Sequence, residues 1–364
     1  MAIPLPEGLN TPALVVDPDV LDRNISRMAE ASRSGGFALR PHAKAHKCAE
    51  IADRQLRAGA RGLSVATLGE AEVFARSGVD DLFIAYPLWL DEAKARRARR
   101  LADEVALSVG VESREGARRL GAAVRGSARP VDVLVEVDSG SHRTGVRPHD
   151  AGEIAQAAAD AGLRVAGVFT FPGHGYRHDP QARERAARDE EQALGEAAQA
   201  LRDLGFEARV VSGGSTPTAG RWQPGAVGEL RPGVYVCNDA TQLAMGTCGT
   251  EDLALAAAAT VISVPAPGRF VLDVGSKVLG SDRSAWVTGH GYLPRFPQAT
   301  VSGLWEHHAV VRLPDGVPGP PLGSVVAVVP NHLCTPVNLA DELLVVRDRE
   351  VVDRWRVAAR GANT

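Results

Sequence analysis

The stretch Arg40-Pro41-His42-Ala43-Lys44-Ala45-His46-Lys47 closes the first good strand candidate of the chain, Ala38 to Lys44, and sets a lysine at that strand's C-terminal end. The C-terminal ends of parallel strands are where an α/β barrel presents its chemistry. Around Lys44 the sequence gathers Arg40, His42, His46 and Lys47. Neighbouring positive charge lowers a lysine pKa and frees its amine for Schiff-base chemistry. Alone the segment decides little, because most lysines are solvated surface residues. Its weight depends on the rest of the chain.

From Ala38 onward short β-branched runs alternate with longer Ala/Arg/Glu-rich stretches of helical period, the pattern of βα units around a parallel sheet. The strand candidates are Ala38 to Lys44, Gly62 to Thr67, Asp81 to Tyr86, Val105 to Val109, Val131 to Asp138, Arg164 to Phe171, Ala208 to Ser212 and Leu230 to Val236. Between them fall helices that include Ala49 to Ala58, Leu68 to Ser77, Leu90 to Ala102, His149 to Ala161 and the alanine-rich Pro180 to Leu204. Eight such units over roughly 200 residues is the size of a (β/α)8 barrel, here assigned to residues 18–246. After about Gly246 the helical stretches vanish. Ala254 to Val264, Arg269 to Val274, His307 to Leu313, Gly323 to Val329, Glu342 to Val346 and Glu350 to Val357 read as strands between Gly, Pro and Asp turns. The spacing predicts a second, antiparallel β domain over 247–364, joined by residues 1–17 through the apolar run Pro12 to Val16.

Composition narrows the function. The 364 residues are 45% hydrophobic and 23% charged, with a formal net charge of −3, which is ordinary globular material. That balance gives no electrostatic footprint for nucleic acid or an anionic membrane and favours a small-molecule substrate. The basic run Lys94 to Arg100 lies on a helical stretch and reads as a solvated face. Four cysteines (Cys48, Cys237, Cys248, Cys334) show no CxxC pairing, which fits a reducing cytoplasm. The start, Met1 to Pro6, lacks the pattern of an export signal, and no apolar run reaches the roughly 18 residues of a membrane span.

The strand ends carry unusual polar chemistry. Strand five runs into Glu136-Val-Asp138-Ser-Gly-Ser-His142-Arg143-Thr144-Gly145, which offers an arginine to an anionic oxygen. Strand six runs into Gly173-His174-Gly175-Tyr176, and strand seven into Ser212-Gly213-Gly214-Ser215-Thr216-Pro217-Thr218. Two glycines let backbone amides approach an anion while flanking hydroxyls add donors. Barrels commonly bind phosphate with the loops after strands seven and eight. Strand eight adds Arg231-Pro232-Gly233-Val234-Tyr235 at the same corner. A lysine after strand one with a phosphate cup after strands seven and eight is the layout expected for pyridoxal 5′-phosphate.

Seven separated motifs, RPHAKAHK (40–47), EVDSGSHRTGV (136–146), SGGSTPT (212–218), ELRPGVYVCNDATQ (229–242), LDVGSKVLGSDR (272–283), WEHHAVV (305–311) and PNHLCTPVNL (330–339), run over nearly the whole chain. In this order the chain resembles the fold type III pyridoxal-phosphate enzymes, in particular the D-threonine aldolase and D-serine dehydratase group with its alanine-racemase-like barrel. The resemblance implies Lys44 as the Schiff-base lysine and Arg143 near the cofactor's phenolic oxygen. It places Ser212, Gly213, Gly214, Ser215 and Thr216 with Gly233 and Val234 around the phosphate, and Arg231 at the pyridine nitrogen. Guanidinium is always a donor, so that nitrogen must accept and stay largely unprotonated. Tyr176 and His174 flank the ring or substrate, with packing as the rival reading. A homodimer is implied as well.

Asn331-His332-Leu333-Cys334 forms a second cluster, whose alternation puts His332 and Cys334 on one side of an extended segment. Imidazole and thiolate suit zinc, although His-x-Cys is common by chance. The resembled group carries a divalent metal at this place; a cysteine ligand favours zinc and leaves manganese open. His42 and His46 flank Lys44 and either orient it or act on a substrate proton. His307 and His308 read first as buried structural imidazoles at a strand start, and Cys48, Cys237 and Cys248 as small core residues. The expected reaction is retro-aldol cleavage of a D-β-hydroxy-α-amino acid to glycine and an aldehyde. The rival is dehydration and deamination of D-serine or another D-3-hydroxy-amino acid to a keto acid and ammonia. A racemase, for which Tyr292 is the one evident second base, and a non-catalytic cofactor carrier rank lower.

Overall fold

The computed structural model describes residue 3, residues 5–219 and residues 225–364. Met1, Ala2 and Pro4, assigned to the β domain from sequence, and residues 220–224, assigned to the barrel, lie outside the described residues. The chain divides into two compact units, one of residues 28–44, 52–233 and 362–364, the other of residues 1–27, 45–51 and 234–361. These cuts differ from 17/18 and 246/247. The helix Pro18–Ser34 begins within the second unit, where Asn24 Nδ2 donates to Val236 O at 3.2 Å and to Asp252 O at 2.8 Å. Side-chain anchoring of this kind leaves no mark on a periodicity pattern.

The first unit is a closed parallel barrel. Its strands are Ala38–Leu39, Leu63–Val65, Asp81–Pro87, Ala106–Val111, Asp132–Glu136, Arg164–Phe169, Val210–Gly213 and Glu229–Leu230, one at each expected position. Strands two to eight pair in sequence order and strand eight pairs with strand one. A backbone bridge between His42 and Ser64, with Ser64 N–H donating to Pro41 O at 2.8 Å, joins strand one to strand two. Strands one and eight are far shorter than their apolar runs. Each meets a proline, Pro41 or Pro232, which has no N–H to give the ladder, and turns into a 3-10 segment, Ala43–Ala45 or Val234–Val236. Inside the barrel Phe83 and Phe169 pack edge to face, their ring centroids 5.0 Å apart, with Leu134 and Ala166. Gly167 is obligatory there: it has φ +155°, and a Cβ would lie 1.8 Å from Val210 O. The helix Arg114–Val124 has no counterpart in the sequence reading.

The second unit is built on a sheet ordered Thr300–Leu304, Ala309–Arg312, Arg269–Leu272, Leu255–Ala266, Ala13–Val16, Glu342–Arg347, Glu350–Arg356, with Val325–Val328 also paired to Leu255–Ala266. The early strand does join the β domain, as its apolar run implies. It runs parallel to Glu342–Arg347, so the sheet is antiparallel except at that pair. Val15, Ala256, Ala258, Val329, Leu344 and Val346 form part of its core. Two short helices, Ser276–Leu279 and Cys334–Leu339, interrupt a region expected to have none. Among the described residues no helix is long and apolar enough to cross a membrane.

Candidate active site

In the barrel unit Lys44 sits on the 3-10 turn after strand one, half-buried, with Nζ 5.6 Å from the centroid of the Phe171 ring. The Arg143 guanidinium lies 5.0 Å from the same ring. Phe171, just past the end of strand six, thus has an amine and a guanidinium near its π-face. Among the described residues no carboxylate pairs with Lys44. The expected gathering of two cations and two imidazoles around it is corrected for the cations: Arg40 is bound to Asp81 and Glu229, and Lys47 Nζ donates to Asn338 Oδ1 at 2.6 Å. His42 Nδ1 accepts the Lys44 N–H at 3.4 Å, and in the β unit the buried His46 accepts the Cys48 N–H at 3.2 Å. The tight turn and the left-handed Lys47, at φ 52°, send successive side chains in different directions.

Arg143 stands on a loop folded by Asp138, whose Oδ1 accepts the N–H groups of Gly140 and His142, both at 2.9 Å. Partial burial alone would raise the Asp138 carboxyl; these bonds and His142 hold it below its ordinary range. Behind the loop Thr144 donates to Glu136 Oε1 at 2.7 Å, while Glu136 Oε2 is buried without a partner. Burial pushes the Glu136 carboxyl up. Tyr176 is half-buried, its ring centroid 6.1 Å from that of Phe171. His174 Nε2 lies 3.3 Å from Asp189, and its Nδ1 is buried without a partner.

Arg231 is 6% exposed and occupies the barrel interior, its guanidinium 5.3 Å from the Phe169 centroid and 5.6 Å from that of Phe83. It donates to Ser212 Oγ at 2.6 Å and to Thr170 O. Ser212 donates in turn to Glu229 Oε1 at 2.7 Å, and Glu229 Oε2 accepts Arg40 Nε at 2.9 Å. Arg40 completes the network with a two-point pair to Asp81 at 2.6 and 3.1 Å. The Ser212 hydroxyl is therefore committed to this network. In the glycine turn the Gly214 N–H donates to Glu190 Oε1 at 2.6 Å and the Ser215 N–H to Thr218 Oγ1 at 3.0 Å, so two amides expected to be free are engaged. Thr216 is 8% exposed; Gly233 is half-buried and ends the barrel unit, and Val234, buried, opens the 3-10 turn of the other.

In the β unit the segment at 331–334 is not extended. Leu333 is helical (φ −75°, ψ −20°), and Cys334 begins a helix. His332 and Cys334 nonetheless interact through their side chains. His332 Nδ1 lies 3.2 Å from Asp239 Oδ2, and Asp239 is wholly buried. Burial alone would lower the imidazole, but Cys334 and Asp239 beside it hold it well above its ordinary value. Asp239 was missed from sequence; the CNDATQ motif contains it, but pairing across 93 residues has no local signature. Among the described residues no group of three or more His, Cys, Asp or Glu side chains is disposed around one metal position. His307 and His308 are exposed in the turn between two strands, not buried.

The barrel donor set fits pyridoxal phosphate. It offers an amine with no acidic partner among the described residues, an interior guanidinium, and a glycine turn with no room for side chains. A Cβ at Gly213 would lie 2.5 Å from Glu190 Oε1, and Gly214, at φ +85°, would press on Leu230. In the β unit the imidazole–thiol pair suits a soft divalent metal that keeps open positions.

Comparison with known proteins gives the family. The alanine racemase N-terminal domain family matches residues 16–240, and a serine dehydratase domain family matches 254–346. A D-threonine aldolase from Arthrobacter sp. is 35% identical over 361 residues, covering 97% of this chain and 93% of that protein. A D-threo-3-hydroxyaspartate dehydratase from Delftia sp. strain HT23 is 35% identical over 350 residues, covering 90% and 91%. A cysteine-to-alanine mutant of a dehydratase of that name, solved in a metal-free form, has a TM-score of 0.87 at 32% identity, covering 96% of this chain and 97% of its own. The crystal structure of D-threonine aldolase from Filomicrobium marinum superposes with a TM-score of 0.89 at 31% identity, covering 99% of each chain. By barrel, domain order and identity along its length, the chain belongs to the fold type III pyridoxal-phosphate enzymes that join an alanine racemase N-terminal barrel to a serine dehydratase-type β domain.

Proposed function

We propose that the chain is a pyridoxal-phosphate- and metal-dependent lyase that cleaves D-β-hydroxy-α-amino acids between Cα and Cβ, giving glycine and an aldehyde. The observation that carries this reading is the His332–Cys334 pair braced by buried Asp239, because a Lewis acid has a use where a β-hydroxyl must lose its proton. Lys44 and the turn at 212–216 would hold pyridoxal phosphate, which supplies a sink for charge developing at Cα. His332 and Cys334 would hold the metal, zinc or manganese, which lowers the pKa of a bound hydroxyl. Arg143, beside Phe171, holds an anionic oxygen in place. Arg231 presents donors only, so whatever it faces must accept. Lys44 Nζ, unpaired with any described carboxylate, holds or returns the proton at Cα. His42 and His46 each accept a backbone N–H at Nδ1, which braces the turn and places the ring proton on Nε2, the nitrogen through which either would act on a substrate proton.

The second reading, elimination of the β-hydroxyl to give a keto acid and ammonia, is favoured by the dehydratase match in the β domain and by the Delftia relative. In that case Lys44 Nζ removes the Cα proton and the hydroxyl leaves. Incubation with D-threonine separates the two: glycine and acetaldehyde mark the aldolase, 2-oxobutyrate and ammonia the dehydratase. Lys44→Ala is expected to abolish either product together with the visible absorbance of the bound cofactor. Persistence of that absorbance sinks the assignment of Lys44.

A further inference from the structure

The long helix Pro180–Asp203 carries a glutamate that none of the chemistry above uses. Glu190 has no exposed surface. Its Oε1 accepts the Gly214 N–H at 2.6 Å, and its Oε2 is buried without a hydrogen-bond partner. The side chain lies flush against the glycine turn, because a Cβ on Gly213 would meet Oε1 at 2.5 Å and Leu194 at 3.1 Å. Among the described residues no cation pairs with it. An ionised carboxylate buried with one hydrogen bond and no ion pair is costly, whereas the neutral acid is far cheaper there. The same turn is where the proposed function seats the cofactor phosphate, so a second negative charge would bear directly on the anion.

We propose that Glu190 is a positioning residue for the glycine turn that works as a neutral carboxylic acid, so that ionising it and keeping a phosphate in the turn exclude one another. The proposal rests on the reading that this turn holds the cofactor phosphate. Its surroundings support the neutral form. Burial raises the Glu190 carboxyl to about 8, against the opposing pull of the Gly214 N–H and of Arg231. Arg231, just past strand eight, is already held by Ser212 and Thr170, and Glu191 on the same helix adds negative charge. The other elements packed on this helix bring charges that have partners of their own. The turn at 173–175 brings His174, close to Asp189, and the turn at 148–150 brings His149 and Asp150, which lie together and with Arg147. The helix Ala151–Asp160 brings Glu153, paired with Arg114, and Asp160, which accepts from Gln156; strand six brings Arg164, paired with Asp132. Strand seven brings no charge.

The test uses the full chain without cofactor and compares pyridoxal 5′-phosphate with pyridoxal, which shares the aldehyde and lacks the phosphate. Dissociation constants are measured by equilibrium dialysis from pH 6.5 to 9.5 for the wild type and Glu190→Gln, an isosteric neutral side chain. Taking the ratio of the two ligands cancels the titration of Lys44. In the wild type the preference for the phosphorylated ligand should fall by about tenfold per pH unit above about 8, and in Glu190→Gln it should stay flat. Unfolding in urea gives a second readout that needs no cofactor. A carboxyl whose folded pKa is raised keeps its proton in the folded state and loses it on unfolding between the ordinary glutamate range and about 8. The wild type should therefore lose stability relative to Glu190→Gln as pH rises through that window, with the loss complete near its upper end. Parallel curves for the two proteins in both measurements overturn the proposal. So does a tenfold or greater loss of phosphate preference in Glu190→Gln at pH 7, because the ionised form would then be the working one. If the wild type binds neither ligand at any pH, the functional reading falls and the unfolding curves alone decide the state of Glu190.

Discussion

Glu229 is the residue at which two of the barrel's buried guanidiniums, those of Arg40 and Arg231, meet. One carboxylate oxygen takes Arg40 directly and the other takes the Ser212 hydroxyl that in turn accepts from Arg231. Truncating it leaves Arg40 with Asp81 alone and Arg231 without charge compensation through Ser212. Breaking a buried pair by removing one partner typically costs about 3–5 kcal/mol. Glu229→Ala is expected to lower stability by about that amount in urea unfolding, and Glu229→Gln by distinctly less, since it keeps the shape and one acceptor. A cost within about 0.5 kcal/mol for Glu229→Ala would mean that the pair is not buried in solution. Lys44 and Arg231 were legible in the sequence because a barrel's strand ends announce themselves. Glu229 and Glu190 were not, because each reads locally as one more charged residue beside a strand or on a helix.

At the scale of elements, the first and last barrel strands end in the same way. Arg-Pro stops the ladder, a 3-10 turn comes next, a non-glycine residue takes a left-handed conformation (Lys47 at φ 52°, Asn238 at φ 54°), and a helix begins. In the second copy the helix Ala240–Met245 is capped by Asp239, whose Oδ1 accepts the Gln242 N–H at 2.9 Å while Oδ2 faces His332. One carboxylate thus fixes both a helix start and an imidazole, leaving Nε2 as the nitrogen available to a metal. Asp239→Asn keeps the cap and changes the partner of His332. It is expected to weaken zinc binding about 10- to 100-fold in competition with a chelating dye. Unchanged affinity would remove Asp239 from the site. The sequence resolved these elements unevenly for physical reasons. Apolar runs located all eight strands, but prolines set the true ends of the first and the last. The alternation in NHLC suggested an extended segment, yet the helix over Cys334–Leu339 claims Cys334 as its first residue.

Over the whole molecule, the two donor sets are built by different compact units, the amine and glycine turn by the barrel and the imidazole–thiol pair by the β unit. Loss of the metal is therefore expected to leave the cofactor's absorbance in place while turnover stops. Treatment with a strong chelator followed by a spectrum and a D-threonine assay checks this, and retained turnover would dismiss the metal. The strands themselves divide the labour. Those from Asp81–Pro87 to Arg164–Phe169 run five to seven residues, whereas the first, second and last run two, three and two. The lysine therefore stands at the seam with the fewest rungs, where local opening costs least. The barrel is thus tied most loosely beside its lysine, and fraying starts there before it reaches the four long staves.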